Sequence, residues 1–246
     1  MEAVYEEARE VPSSMCDHAG RLGMADTFAL FMDLATTHAL MMGCGWRQMA
    51  ERHLFWLTVK TKVVFAPQAE RPQMGDAVIA RTWPEEPGKM RCVRDYQVEC
   101  DGRITAAGKT EWAILDTETA SLAPVGDVYG EGLTFTREPA VGTPFVRVVD
   151  DFEGVEPFAT YTVRSTDIDL GGHMNNVAYV RALLGSFTVA ELDALQIREI
   201  DAIFRNQCFE GDELVLSRKA TEDGYDVRLA KDGKTAFLAH LVCEHL

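Results

Sequence analysis

Apolar positions recur at helical spacing twice along the chain. Met24, Phe28, Phe31, Met32, Ala35, Ala39 and Met42 predict one helix, with Gly43 as its C-cap. Thr36, Thr37 and His38 interrupt that stripe, and His38 reads as a core histidine bonded to backbone. Val177, Val180, Leu183, Leu184 and Phe187 predict a second helix, with Asn175 or Asn176 as its cap. Elsewhere the period drops to two. Leu57, Val59, Thr61, Val63 and Phe65 alternate with Thr58, Lys60, Lys62 and Val64, a half-buried strand over 54–65. Ala77 to Trp83, Met90 to Cys100 and Arg103 to Leu115 read as further strands, the last two joined by the hairpin signal Asp101-Gly102. Later, Ile200, Ala202, Phe204, Asn206 and Cys208 alternate with Asp201, Ile203, Arg205 and Gln207. Leu214 to Lys219, Tyr225 to Ala230 and Thr235 to Cys243 follow, the last pair joined at Asp232-Gly233.

Between Thr119 and Thr160 this periodicity fades among Pro124, Pro139, Pro144, Pro157 and five glycines, which reads as a connector. The segments on either side repeat one order. Asp17 aligns with Asp169, Gly20 with Gly172, Met74-Gly75-Asp76 with Glu210-Gly211-Asp212, and Asp101-Gly102 with Asp232-Gly233. An internal duplication of roughly 110–130 residues is the economical account, two domain-sized units. The expected division is a first half over 1–130, a connector over 131–158 and a second half over 159–246. One helix and several antiparallel strands per half predict an α+β class, a curved antiparallel sheet wrapped round its helix.

The densest chemistry lies just before the second helix, in Asp167-Ile168-Asp169-Leu170-Gly171-Gly172-His173-Met174-Asn175-Asn176. Paired glycines let the backbone turn tightly and approach a ligand. Asp169 and His173 are candidate proton handlers. A helix start offers N–H groups and partial positive charge to a developing oxyanion. The first copy carries Arg21 where the second has His173, and Gly23-Met24 where the second has Asn175-Asn176. Only the second copy therefore holds the reactive set.

Bulk properties narrow the function. With 24 Lys and Arg against 39 Asp and Glu, the net charge of −15 argues against nucleic acid and anionic membrane as partners. The cysteines at 16, 44, 92, 100, 208 and 243 form no C-x-x-C pair and no zinc spacing, so they read as reduced cytoplasmic thiols. Neither a signal peptide nor a membrane span is expected, and no metal or cofactor is implied.

The string from Asp167 to Tyr179 closely resembles the signature of the acyl-ACP thioesterase family, roughly S-D-x-D-x-N-x-H-V-N-N-x-x-Y. His53 to Thr58 is similar to the family's W-V-L-T strand, and Gly75-Asp76 to Trp83-Pro84 to its G-D-x-V-x-V-x-T-W-P. Arg94-Asp95-Tyr96 and Thr110 to Asp116 resemble its R-D-F/Y and S-x-W-v-l-m-D strings. The resemblance implies a tandem (double) hot-dog that hydrolyses the thioester between a fatty acyl chain and acyl carrier protein. It further implies an acyl pocket in the first hot-dog and one active site in the second.

Carried over by position, Asp169 and His173 match the family's catalytic Asp and His. Gly171 stands where the family has Asn, and Gln207 where it has Glu in a Y-R-R-E-C-type string. Gln207 can orient water or a carbonyl but cannot accept a proton as a base. Gly171, Gly172, Asn175 and Asn176 are the expected substrate and oxyanion residues. Cys208 occupies a position where part of the family has Cys and is the tempting nucleophile, yet the alternation sets it on the core face as an inert thiol. The expected partner is acyl carrier protein bearing a fatty acyl chain, with the enzyme a monomer or a homodimer. An acyl-CoA thioesterase and a non-catalytic hot-dog that binds acyl carriers stay open as alternatives.

Overall fold

The computed structural model describes residues 4–126, 128, 129, 135 and 138–244. The chain divides into two compact units, Met1–Thr143 and Pro144–Leu246. The first contains strands β1 (Tyr5–Glu10), β2 (Leu54–Phe65), β3 (Ala77–Pro84), β4 (Cys92–Cys100), β5 (Arg103–Asp116) and β6 (Ser121–Ala123), with helices α1 (Met24–Met41) and α2 (Trp46–Glu51). Its antiparallel order is β1-β3-β4-β5-β2, with β6 against the end of β5. The second contains β7 (Pro157–Thr162), β8 (Ile197–Phe204), β9 (Glu213–Ala220), β10 (Gly224–Lys231) and β11 (Lys234–Cys243), with α3 (Asn176–Leu184) and α4 (Val189–Leu195). Its order, β7-β9-β10-β11-β8, repeats the first strand for strand.

Local chemistry explains most element ends. Gly43 takes φ +76° and its amide bonds the Leu40 carbonyl, which closes α1. The Asn175 side chain accepts the Ala178 amide at 2.8 Å and starts α3, a cap that contributes about 1 kcal/mol. Asp101-Gly102 and Asp232-Gly233 all have positive φ, as a two-residue hairpin turn requires. The core of the first unit sits between α1 and its sheet. Phe31 stacks on Tyr96 at 4.7 Å, and a Cβ at Gly108 would lie 2.7 Å from the Phe31 ring, so only glycine admits the helix this close. In the second unit Tyr179 of α3 stacks on Phe237 at 5.6 Å.

Several expectations need correction. β1 is acidic and was not expected; it is an edge strand paired only with β3, and Arg81 bridges its Glu6. A β-bulge between Thr58 and Lys60 inserts one residue into β2 and reverses its phase. Trp56, not Leu57, therefore packs inward with Met42, Cys44 and Ile114. β8 ends at Phe204, and Asn206 to Cys208 form a loop rather than more strand. His38 is buried, but its partner is the Arg94 guanidinium at 2.9 Å, not backbone. Burial, then the Arg94 charge, push the His38 imidazole down to about 4, so it stays neutral and accepts that bond.

The segment read as a connector packs on the sheets. In the first unit the Ala140 amide donates to Asp95, and Lys109 donates to the Val141 and Thr143 carbonyls. In the second, the Val146 amide donates to Asp201, while Val148 and Phe152 pack on Ile203 and Leu238. Lys62, Asp95 and Asp201 are each at most 1% exposed for this reason, where simple alternation predicts solvent.

Candidate active site

The stretch from Asp167 to Asn175 is a closed turn built on its own backbone. The Asp169 amide bonds the His173 carbonyl at 3.0 Å, and the Gly172 amide bonds the Asp169 carbonyl at 3.0 Å. The Gly171 amide donates to Asp169 Oδ1 at 2.7 Å. Gly172 sits at φ +76°, where a side chain is strained. The Asn175 amide and side-chain Nδ2 both donate to the Asp167 carbonyl at 2.8 Å. The Asp167 carboxylate accepts from the Tyr161 hydroxyl and the Arg164 amide, both at 2.8 Å. Burial, then this carboxylate, push the Tyr161 phenol up to about 12. Asp167 is thus a fixed brace beneath the turn.

Asp169 and His173 face each other above that brace. His173 Nδ1 lies 3.9 Å from Asp169 Oδ1 and 3.3 Å from the Met174 carbonyl. The Asp169 side chain is 36% exposed, that of His173 16%. Gly171 makes room for them: a Cβ there would lie 2.8 Å from His173 Nε2 and 3.0 Å from Asp169 Oδ1. The Gly171 and Gly172 amides are engaged inside the turn, so they are not the donors left for a substrate. At the start of α3, where Asn176 is the first residue, the Val177 amide has no acceptor among the described residues.

The loop after β8 is joined to this turn by a bond from the Met174 amide to the Cys208 carbonyl at 2.7 Å. Gln207 is exposed in that loop. Cys208 is buried at 0% exposure. Burial raises its thiol, and the Tyr179 hydroxyl beside it offsets this only in part, so the thiolate a nucleophile needs is disfavoured. Tyr179, quoted in the motif without a role, donates its hydroxyl to the Asn206 carbonyl at 3.1 Å. The motif itself marked this residue; the loop it reaches is distant in sequence.

Two family models, the acyl-ACP thioesterase N-terminal and C-terminal domains, match residues 2–132 and 153–239. The chain belongs to the acyl-ACP thioesterase family. Its Arabidopsis thaliana relatives include oleoyl-acyl carrier protein thioesterase 1, 27% identical over 80% of this chain and 53% of the relative. The palmitoyl-acyl carrier protein thioesterase of the same plant is 25% identical over 81% of this chain and 48% of the relative. The chain thus spans about half the length of these family members. Among solved structures, an acyl-ACP thioesterase from Bacteroides thetaiotaomicron has a TM-score of 0.82 at 21% identity, covering 98% of both chains. The 12:0-ACP thioesterase from Umbellularia californica has a TM-score of 0.85 at 19% identity, covering 98% of this chain and 97% of its own. The family's double hot-dog fold is therefore the fold of this chain.

Proposed function

We propose that this protein hydrolyses the thioester of fatty acyl-acyl carrier protein, with the reaction carried by the second unit. The observation that carries this reading is Asp169, a partly exposed carboxylate held opposite His173 on a rigid turn, with no arginine or lysine paired to it among the described residues. Asp169 Oδ1 is engaged by Gly171, which leaves Oδ2 to take a proton from water. The water oxygen bonds to the acyl carbon, and α3-start amides, Val177 first among them, face the developing oxyanion. Collapse breaks the carbon–sulfur bond, and the proton that Asp169 took from water passes by way of His173 to the departing thiolate of the carrier arm. The products are a free fatty acid and the carrier thiol. Gln207 serves as an orienting amide, and Asn175 shapes the site as the helix cap. Metal and cofactor have no part in this scheme.

Membership of a family whose plant members are named for oleoyl- and palmitoyl-carrier substrates supports a carrier-bound fatty acyl substrate. Free thiols at all six cysteines fit a reducing compartment, the cytoplasm in this reading. The enzyme acts as a monomer or pairs as a homodimer.

The test is thiol release from a panel of acyl-carrier proteins and matched acyl-CoAs, with wild type beside Asp169→Asn. Carrier-thioester turnover that collapses in the variant supports the reading. Preference for the CoA thioesters would transfer the assignment to an acyl-CoA thioesterase. Tight binding without turnover would make the protein a binder.

A further inference from the structure

The two units close the same gap differently. In the first, two backbone bonds fasten the loop after β2 to the turn. The Leu22 amide bonds the Pro72 carbonyl and the Met74 amide bonds the Gly20 carbonyl, both at 2.8 Å, which sets Arg21 opposite Gln73. In the second, only the bond equivalent to the first of these, Met174 to Cys208, is made among the described residues. Phe209 and Leu170 are exposed beside it. The loop carrying Gln207 has a further hold on the side of α3.

We infer that Tyr179 is a positioning residue that sets the Asn206–Cys208 loop, and with it Gln207, against the Asp169–His173 turn. Its ring is fixed on two sides, stacked on Phe237 and edge-on to Phe204 at 6.0 Å. Its hydroxyl donates to the Asn206 carbonyl, the residue before Gln207. Asn206 is anchored from the opposite side, where Nδ2 donates to the Thr235 carbonyl at 2.6 Å and the amide to the Ala236 carbonyl. The loop is thus held between α3 and β11, and α3 carries the cap that ends the catalytic turn. The counterpart of Tyr179 in the first unit is Thr27, whose hydroxyl bonds back to Gly23 in its own helix and reaches no loop. Among the described residues the first unit has no counterpart to this hold.

The inference rests on the hydrolase reading, and its test separates the two. Tyr179→Phe keeps the buried ring, and the Asn206 carbonyl, in an exposed residue, can turn to water, so thermal stability should hold. Steady-state kinetics should show kcat down about tenfold with KM within twofold, the signature of a misplaced group rather than lost binding. Gln207→Ala should do the same, and the double variant should fall no further, since both changes remove one function. Hydrogen exchange at the Met174 and Phe209 amides should quicken in Tyr179→Phe. Wild-type kcat in Tyr179→Phe, effects that multiply in the double variant, or unchanged exchange would each overturn the inference while Asp169→Asn still judged the hydrolase reading. If wild type turns over no thioester, the exchange comparison alone decides whether Tyr179 holds the loop.

Discussion

The turn from Asp17 to Gly23 and the turn from Asp169 to Asn175 share one backbone and differ in what their carboxylates can do. Bond for bond the main chains agree: Asp17 N to Arg21 O at 2.8 Å against Asp169 N to His173 O at 3.0 Å, and Gly20 N to Asp17 O against Gly172 N to Asp169 O, both 3.0 Å. The Ala19 amide caps Asp17 as the Gly171 amide caps Asp169. The divergence lies four residues on. Arg21 Nε grips Asp17 Oδ2 at 2.8 Å and reaches on to Gln68. Burial would raise the Asp17 carboxyl, but the bonds from Arg21 and Ala19 outweigh it and hold the group below its ordinary range. A carboxylate so held is a poor proton acceptor. His173 Nδ1 lies 3.9 Å from Asp169 Oδ1, so it does not grip the carboxylate as Arg21 grips Asp17, a difference that the proposed role of Asp169 requires.

Five substitutions, Asp17→Asn among them as the control, probe that contrast, the rest in falling order of effect. Asp169→Asn should lower carrier-thioester turnover about a thousandfold, while Asp17→Asn leaves it within twofold; equal losses would dissolve the distinction. His173→Arg copies the first turn into the second and should cost at least about a hundredfold in kcat by locking Asp169, with thermal stability kept. Gly171→Ala should cost about tenfold, because the new Cβ meets His173 and Asp169; a structure of this variant should show the imidazole displaced. Arg21→Ala should leave kinetics unchanged and remove about 1 kcal/mol of stability at pH 7. The sign of its pH dependence follows from the lowered Asp17 carboxyl. That contribution is present above the unfolded carboxyl's range and is lost as pH falls through the folded one. Urea denaturation at pH 7 and at successively lower pH should therefore show a gap between wild type and the variant that narrows as the pH falls below the ordinary carboxyl range.

Local geometry was legible in the sequence; what depended on distant chain was not. The Asp-Gly hairpins, the Gly43 stop and the asparagine cap follow from conformations few residues adopt. The turn with Asp169 and His173 could be found because its parts lie within ten residues. Alternation misjudged Lys62 and Asp201, because within each unit chain from elsewhere covers the face on which the residue lies. It also misjudged β2, since one inserted residue reverses facing without changing composition. α4 was overlooked although Thr188 and Glu191 form a capping box that the T-x-x-E spacing announces. In the site, the bond from the Tyr179 hydroxyl to the Asn206 carbonyl joins residues 27 apart in sequence, and spacing alone does not show it.

The strap over the first sheet also bears on the order of events during synthesis. The last long strand of that sheet ends at Asp116, but the backbone that Asp95 and Lys109 hold lies at 140–143. As the chain leaves the ribosome, every long strand of that sheet emerges before the segment that covers its face. A chain released at residue 130 would contain every long strand of the first unit and still lack the piece that seals it.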